Sequence, residues 1–260
     1  MSGTQWKSVL VTGASSGLGR ALAEVLAAPG VTLHLSGRDA ARLEATAEVC
    51  RARGAMVAPR VVSVTDAPAM AEWIAQAGRL DLVIANAGIS GGTGDAVEPA
   101  AQAAQVFATN LTGVLNTALP AIEAMAAQAP GTDGLRGRVA VVASIAAFVA
   151  SPSAPAYCAS KAAVDAWTVG TAAVARRQGV LMSSVCPGYV RTAMTARNRF
   201  PMPGLMGAER AAGIILRGLS RGARRIVFPW WMGLAARIVG LLPLAVSTRL
   251  LNTVPGKDGF

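Results

Sequence analysis

Histidine and cysteine are scarce in this chain of 260 residues, and both scarcities narrow its function. The single histidine, His34, falls inside an apolar stretch, so we expect it to be structural and predict no metal site. The three cysteines, Cys50, Cys158 and Cys186, are odd in number and far apart, which argues against a disulfide framework. A cytoplasmic location is expected, since the first residues also lack the pattern of a signal peptide.

Acidic residues are also few, and the net charge is +10. From Arg197 to the end there are ten basic and only two acidic residues. The basic residues are dispersed among apolar ones rather than grouped in runs, so we expect a solvated basic face and no nucleic-acid partner. Only three of the basic residues are lysines, which makes each lysine position informative.

No linker, repeat or low-complexity stretch divides the chain, and 53% of its residues are hydrophobic. A single domain over residues 1–260 is therefore predicted. Short β-branched runs alternate with helical patterns at Ala40–Arg53, Ala96–Ala127 and Ala156–Gln178, which is typical of an α/β fold with a parallel sheet covered by helices on both faces. The predicted strands are Ser8–Thr12, Thr32–Ser36, Val57–Val62, Leu82–Ala85, Val139–Ala143, Leu181–Val185 and Arg225–Phe228.

A glycine-rich turn follows the first predicted strand and precedes a helical run. Glycines allow a tight turn and let backbone N–H groups at a helix start approach an anion, which the helix dipole also favours. This order of strand, turn and helix indicates a pyrophosphate site. Its residues are Gly13, Ser15, Ser16, Gly17, Leu18 and Gly19.

Tyr157 and Lys161 stand four residues apart at the start of a long helical pattern, so both lie on one face. A neighbouring ammonium group favours the phenolate, and we expect Lys161 to lower the pKa of Tyr157. Ser144 ends a predicted strand, where open α/β sheets place their ligand crevice. Ser151 and Ser153 are alternatives whose spacing fits less well.

These motifs together resemble the classical short-chain dehydrogenase/reductase family over roughly residues 7 to 192. The glycine pattern TGxxxGxG begins at Thr12, Asn86-Ala87-Gly88 matches a second family motif, and Pro187 to Thr192 matches a closing one. The resemblance implies a Rossmann-type doubly wound parallel sheet. It also implies that Ser144 polarises a carbonyl, that Tyr157 transfers the proton and that Lys161 holds the nicotinamide ribose.

The resemblance adds Asn110 as a fourth catalytic residue, which kinks its helix and holds a water that relays protons from Lys161. A buried asparagine whose amide simply needs partners is an equally open interpretation. The residues expected to bind the cofactor, beyond the glycine turn, Tyr157 and Lys161, are Arg38, Ser63, Val64, Asn86, Ala87, Gly88, Pro187, Gly188, Val190 and Thr192.

The end of the second strand decides between the two dinucleotides. An acidic residue there grips the ribose hydroxyls of NAD, whereas an arginine accommodates the 2′-phosphate of NADP. Gly37 stands where NAD-preferring members of the family carry aspartate, and Arg38 follows it. NADP(H) is therefore predicted over NAD(H), unless Asp39 turns inward. Ser63 replaces an aspartate that commonly lies beside the adenine, so less selective adenine binding is expected.

The predicted function is hydride transfer between the nicotinamide and a small-molecule carbonyl or secondary alcohol. Residues 193–207 contain three methionines and a phenylalanine, which favour a mobile lid over an apolar or extended substrate. By resemblance, a homodimer or homotetramer is expected.

The tail, residues 229–260, is apolar and basic, and Arg237 makes a membrane-spanning helix improbable. Packing in the pocket or an oligomer interface is favoured for this tail, and peripheral contact with a membrane comes second. Two other functions remain open: a non-catalytic, NADP(H)-binding redox sensor or scaffold, and an envelope sugar or lipid dehydrogenase working at the membrane surface.

Overall fold

The computed structural model describes residues 6–93, 96–196, 198 and 200–252. Seven parallel strands form one sheet in the order β3-β2-β1-β4-β5-β6-β9, and β7 pairs with β8 in a separate two-stranded ribbon. The strands are β1 Ser8–Val11, β2 Thr32–Gly37, β3 Met56–Val61, β4 Leu82–Ala85, β5 Gly137–Val142, β6 Val180–Pro187, β7 Val190–Arg191, β8 Met206–Gly207 and β9 Arg225–Phe228.

Helices cover both faces of this sheet, as the sequence predicted. They are α1 Gly17–Leu26, α2 Ala40–Ala52, α3 Ala67–Gln76, α4 Ala100–Phe107, α5 Gly113–Ala127, α6 Pro155–Arg177, α7 Ala193–Ala196, α8 Ala208–Ser220, α9 Trp230–Leu241 and α10 Leu244–Asn252. None of the described helices is both long and apolar enough to cross a membrane.

Successive side chains of the central strands supply two separate cores. In β4, Leu82 and Ile84 belong to the core under α1 and α8, whereas Val83 and Ala85 belong to the core under α3 and α5. This alternation follows from the period of two along a strand, and it explains why the strand reads as an unbroken apolar run. The fold is thus a doubly wound, Rossmann-like single domain.

One predicted helix differs from the structure. The helical pattern spans Ala96–Ala127, but α4 begins only at Ala100, after Pro99, and a π-helical turn at Ala108–Thr112 separates α4 from α5. A π-turn inserts an extra residue into the helix and is frequently found at functional sites. Asn110 lies within this turn, in agreement with the kink that the resemblance implied.

Candidate active site

A cavity of about 490 Å³ opens at the carboxyl ends of the strands, where the order reverses between β1 and β4. Most of the residues predicted for the site line it, while Gly19 and Asn110 do not. The predicted residues in its wall are Gly13, Ser15, Ser16, Gly17, Leu18, Arg38, Ser63, Val64, Asn86, Ala87, Gly88, Ser144, Tyr157, Lys161, Pro187, Gly188, Val190 and Thr192.

The glycine turn is held against the end of β4 by hydrogen bonds. Thr12 Oγ1 accepts from the backbone N–H groups of Asn86 and Ala87 at 3.0 and 3.1 Å, and Asn86 Nδ2 donates to Thr12 O at 2.9 Å. Gly13 has a φ of +68°, and a Cβ there would lie 2.9 Å from the Cα of Ala87. Gly19 lies behind the turn, where a Cβ would collide with the carbonyl oxygen of Gly13. The glycine turn is thus fixed against β4, and the first turn of α1 borders the cavity.

Arg38 and Asp39, which follow β2, differ in their charged partners. Arg38 is exposed on the cavity wall and has no ion-pair partner within the described ranges. Asp39 instead caps α2, since its carboxylate accepts from Arg42 N at 2.9 Å and from Arg42 Nε at 2.7 Å. Hydrogen bonds from Arg42 lower the pKa of Asp39, which is therefore charged and directed toward α2.

Gly37 packs closely against the glycine turn. A Cβ at this position would lie 2.9 Å from both Cβ and Oγ of Ser15. An aspartate here would therefore require the turn to move, so the carboxylate typical of NAD-preferring relatives does not fit this backbone.

Ser63 and Thr65 form a polar pair in the wall beyond Arg38. Ser63 Oγ and Thr65 Oγ1 lie 2.8 Å apart, and Thr65 N donates to Ser63 Oγ at 3.3 Å. The carbonyl of Val64, between them, accepts from Asn116 Nδ2 at 2.9 Å. These bonds hold the loop after β3 in the cavity wall.

Ser144 begins the 3₁₀ helix Ile145–Phe148 and caps it, because Ser144 Oγ accepts from Ala146 N at 3.1 Å. Its hydroxyl is also hydrogen-bonded to Tyr157, and this contact lowers the pKa of Tyr157. Burial has the larger, opposite effect and raises that pKa to about 12. The expectation that the pKa of Tyr157 is lowered is thus wrong for the protein without cofactor, and the phenol keeps its proton at neutral pH.

Lys161 is only 4% exposed, and burial lowers its pKa to about 8. Its ammonium group donates to the carbonyl of Val142 at 2.8 Å and lies 5.9 Å from the ring centre of Tyr157. The one-turn spacing therefore brings both side chains to the same cavity. A charged amine and a protonated phenol coexist there near pH 7.

Asn110 is fully buried behind the cavity wall. Its amide oxygen accepts from Ile89 N at 2.8 Å, while Nδ2 donates to Ile89 O at 2.9 Å and to Ser160 Oγ at 3.1 Å. A Cβ on Gly88 would lie 3.2 Å from Asn110 Oδ1 and 3.4 Å from Lys161 Nζ. Asn110 thus ties the loop after β4 to α6 beside Lys161, which agrees with the structural interpretation of its amide.

The segment predicted as a lid leaves the cavity on the side of Thr192. Met194 lies in the cavity wall, and Phe200 packs edge-on against Tyr189 at 6.0 Å between ring centres. The β7–β8 ribbon fastens the far end of this segment at Met206. Arg197 and Arg199 lie outside the described residues.

Several residues of the wall were not among the predicted site residues. The alternatives Ser151 and Ser153 do not line the cavity, and their hydroxyls lie 3.0 Å apart. The additional wall residues are Ser36, Gly37, Val62, Thr65, Ile89, Gln105, Ala108, Thr109, Val142, Ala143, Ala193, Met194 and Thr195. Many of them adjoin a predicted residue in the chain, which is the one signal that could have found them.

Glu98 was also not among the predicted site residues, and it supports the site from outside the cavity wall. Its carboxylate accepts from Ala156 N at 2.9 Å and from Gln102 Nε2 at 2.8 Å. It thereby caps the first turn of α6, directly before Tyr157, since the N-cap residue Ala154 offers no side-chain acceptor. The two partners are 58 residues apart, so no local pattern announces the contact.

The fold and its cavity define a nucleotide-binding protein of the Rossmann class. Residues 7–201 match the short chain dehydrogenase family, and the chain belongs to that family. An uncharacterised oxidoreductase of Myxococcus xanthus is 36% identical over 247 residues, which cover 94% of this chain and 95% of the relative. The chain is accordingly an oxidoreductase of the kind that acts on CH–OH groups.

Solved structures of the same family superpose closely on this fold. A short chain dehydrogenase/reductase from Burkholderia phymatum in complex with NAD is 25% identical with a TM-score of 0.78, covering 91% of this chain and 94% of the other. A short-chain dehydrogenase from Sphingobium yanoikuyae in complex with NADPH is also 25% identical, with a TM-score of 0.77 and coverage of 92% and 97%. Both dinucleotides therefore occur among similar structures.

Proposed function

We propose that this protein is an NADP(H)-dependent oxidoreductase that interconverts a carbonyl and a secondary alcohol. Arg38 carries the cofactor preference, because it is an exposed cation in the cavity wall whose charge no described acidic side chain neutralises. A 2′-phosphate is the anion that an arginine at the end of β2 accommodates. Asp39 is held by Arg42, and Gly37 leaves no room for a competing carboxylate.

The cavity has wall residues suited to binding a dinucleotide and others suited to binding a substrate. The glycine turn at the start of α1 would hold the pyrophosphate, with the Ser63–Thr65 pair at the adenine and Pro187, Gly188, Val190 and Thr192 at the nicotinamide. The cofactor, when bound, supplies or accepts a hydride. Ile89, Ala143 and Met194 also line the cavity with apolar side chains, which supports an apolar or extended substrate. Residues 193–207 would close over it.

The proton chemistry follows from burial. With a pKa of about 12, Tyr157 holds its proton at neutral pH and can donate it to a carbonyl oxygen that Ser144 Oγ also contacts. Lys161, with a pKa of about 8, retains a positive charge near pH 7 and would stabilise the phenolate left after donation. Asn110 would keep the backbone beside Lys161 in place.

The cofactor preference is tested by titrating the protein with NADPH and NADH and following the fluorescence of the bound nicotinamide. Because a hydrogen bond to a charged group contributes about 1.5–3 kcal/mol, we expect NADPH to bind on the order of ten- to a hundredfold tighter. Arg38→Ala should remove most of this preference. Arg177→Ala, which removes an exposed arginine at the far end of α6, is the matched control and should keep it.

Two results would refute this part of the proposal. One is tighter binding of NADH, and the other is an unchanged preference in Arg38→Ala. If neither dinucleotide binds, the proposed enzyme function fails altogether, and so does the alternative of an NADP(H)-binding scaffold.

Turnover is tested in Tyr157→Phe with a panel of apolar ketones. Loss of the proton donor should lower kcat by about 10²–10⁴-fold while the affinity for NADPH stays near that of the wild type. Tyr189, the second tyrosine of the chain, lies outside the cavity wall, so Tyr189→Phe should keep most of the activity. Equal activity in Tyr157→Phe and the wild type would show that Tyr157 is not the proton donor.

A further inference from the structure

Helix α9 docks on the protein mainly through two glycines, Met232 and Arg237, and leaves most of its other large side chains exposed. A Cβ on Gly240 would collide with the carbonyl oxygen of Phe148, and one on Gly233 would collide with Val227. Between these glycines, the guanidinium of Arg237 lies 4.5 Å from the ring centre of Phe148. Gly233, Arg237 and Gly240 recur at helical spacing, so they form the docked face.

The face of α9 beside this docked face is apolar and exposed. Trp230, Leu234, Ile238 and Leu241 also recur every three or four residues, and Trp230 and Leu241 are 72% and 87% exposed. Amphipathic helices of globular proteins normally turn such a stripe toward the core. Here neither of the two cores contains a residue beyond Phe228.

Helix α10, which follows α9 in the chain, also exposes large apolar side chains, among them Leu244, which is 78% exposed, and Val246. Eight of the fifteen exposed large hydrophobic residues in the described ranges lie in α9 and α10, so the exposure is concentrated rather than scattered. Exposed apolar residues concentrated in one part of a protein are typical of an interaction site. We call the exposed side of α9 and α10 the tail face.

The charge around the tail face indicates what covers it. Between Glu209 and Asp258 the sequence holds no acidic residue, and Arg237 and Arg249 are exposed on α9 and α10 themselves. In a symmetric pair, the same patch of both copies meets, so this arginine-bearing surface would meet itself, and neither α9 nor α10 contains a carboxylate to pair with an arginine of the other copy. An anionic lipid surface is complementary to this combination of apolar side chains and arginines.

We propose that the tail face docks on an anionic membrane surface as a peripheral anchor. Trp230 and Trp231 lie at the start of α9 among aliphatic side chains, and tryptophan is enriched at the membrane–water interface. The net charge of +10 adds a long-range attraction to anionic headgroups. Met232 of α9 packs against Gly188 in the cavity wall, so the helix that carries the tail face begins beside the cavity.

Sedimentation of the full chain with lipid vesicles tests the anchor. Vesicles of phosphatidylcholine mixed in equal parts with phosphatidylglycerol should bind the protein on the order of tenfold more tightly than phosphatidylcholine alone, and added salt should weaken this binding. Trp230→Glu combined with Leu241→Glu should reduce binding by at least about tenfold, because both exposed side chains lose apolar contact with lipid.

Met56→Glu combined with Val61→Glu is the matched control. These residues are 63% and 58% exposed on β3, away from the tail face, so the control variant should bind vesicles like the wild type. Thermal unfolding of both double variants checks that the fold is retained.

Three results would overturn the proposal. The first is a wild-type protein that stays in solution with anionic vesicles, and the second is equal vesicle binding by the α9 variant. The third is a wild-type oligomer, detected by analytical ultracentrifugation without lipid, that the α9 substitutions dissociate. That last outcome would show that a second copy covers the tail face.

Discussion

Burial controls the two titrating side chains at the centre of the site in opposite directions. It raises the pKa of Tyr157 to about 12 and lowers that of Lys161 to about 8, because in both residues it disfavours the charged form. Near neutral pH the phenol is therefore protonated and the amine charged, as the proposed proton donation requires. Burial of the Lys161 ammonium group also lowers the free energy of unfolding of the protein without cofactor.

The free-energy cost of burying this charge predicts a pH-dependent gain in stability for Lys161→Met. The folded pKa of about 8 lies below the ordinary value of 10.5, so the cost is full below pH 8 and disappears as pH rises toward 10.5. The shift corresponds to about 3 kcal/mol, and losing the donor to Val142 O returns about 1 kcal/mol. Chemical denaturation without cofactor at pH 7 should give the variant about 2 kcal/mol more stability.

The exposed Lys7 provides the control for this measurement. Its methionine variant should stay within about 0.5 kcal/mol of the wild type at each pH. A Lys161→Met variant that is less stable than the wild type at pH 7 would contradict the argument, as would a gain that does not shrink above pH 8.

At the scale of elements, a contact from outside α6 holds the start of that helix. Glu98 accepts from Ala156 N and supplies the cap that Ala154 cannot. Ser144 similarly caps the 3₁₀ helix that follows β5, so its hydroxyl has a structural as well as a proposed catalytic role. Two caps thus position the side chains that would act on the substrate.

Removing the Glu98 cap should affect activity more than stability. We expect Glu98→Ala to lower the free energy of unfolding by about 1 kcal/mol, the usual effect of losing an N-cap. Because the first turn of α6 carries Tyr157, kcat should fall at temperatures well below unfolding. Steady-state kinetics and chemical denaturation measure the two effects.

Asp66→Ala is the comparison variant, because Asp66 caps α3 through Ala69 N and α3 contributes no residue to the cavity wall. It should lose similar stability and keep its turnover. If both variants lose the same fraction of kcat, Glu98 has no special effect on Tyr157.

At the scale of the whole molecule, the cavity joins most of the central sheet. Its wall takes residues that follow β1, β2, β3, β4, β5 and β6 and others from α6, so a bound dinucleotide would contact both halves of the sheet. The tail differs, since its apolar face contributes nothing to either core. Cofactor binding should thus stabilise the sheet as a unit.

This contact predicts a shift in thermal unfolding with NADPH. At a concentration a hundred times its Kd, a ligand of the folded state adds about 2.7 kcal/mol, which for a chain of this size raises Tm by roughly 5–10 °C. Scanning calorimetry measures the shift, and NADH at the same concentration should give a smaller one. A Tm that does not respond to NADPH would contradict the proposed site.

Much of the fold and part of the site could be predicted from local spacing. The predicted strands agree with the seven strands of the main sheet to within a few residues, because an unbroken apolar run suits a strand buried on both faces. Tyr157 and Lys161 meet because residues four apart share a helix face. The helical pattern at Ala96–Ala127 began too early, since Pro99 precedes the first residue of α4, and the pattern alone did not predict the π-turn around Asn110.

By itself, the sequence determined the strands, the glycine turn, the family motifs and the one-turn spacing of Tyr157 and Lys161, since each depends on residues a few positions apart. Only the tertiary structure decided that Asp39 binds Arg42, that Glu98 caps α6, that burial raises the pKa of Tyr157 and that the apolar side of α9 faces outward. Burial and the choice of hydrogen-bond partner depend on contacts between segments that are distant in the chain. A local sequence pattern therefore cannot predict them.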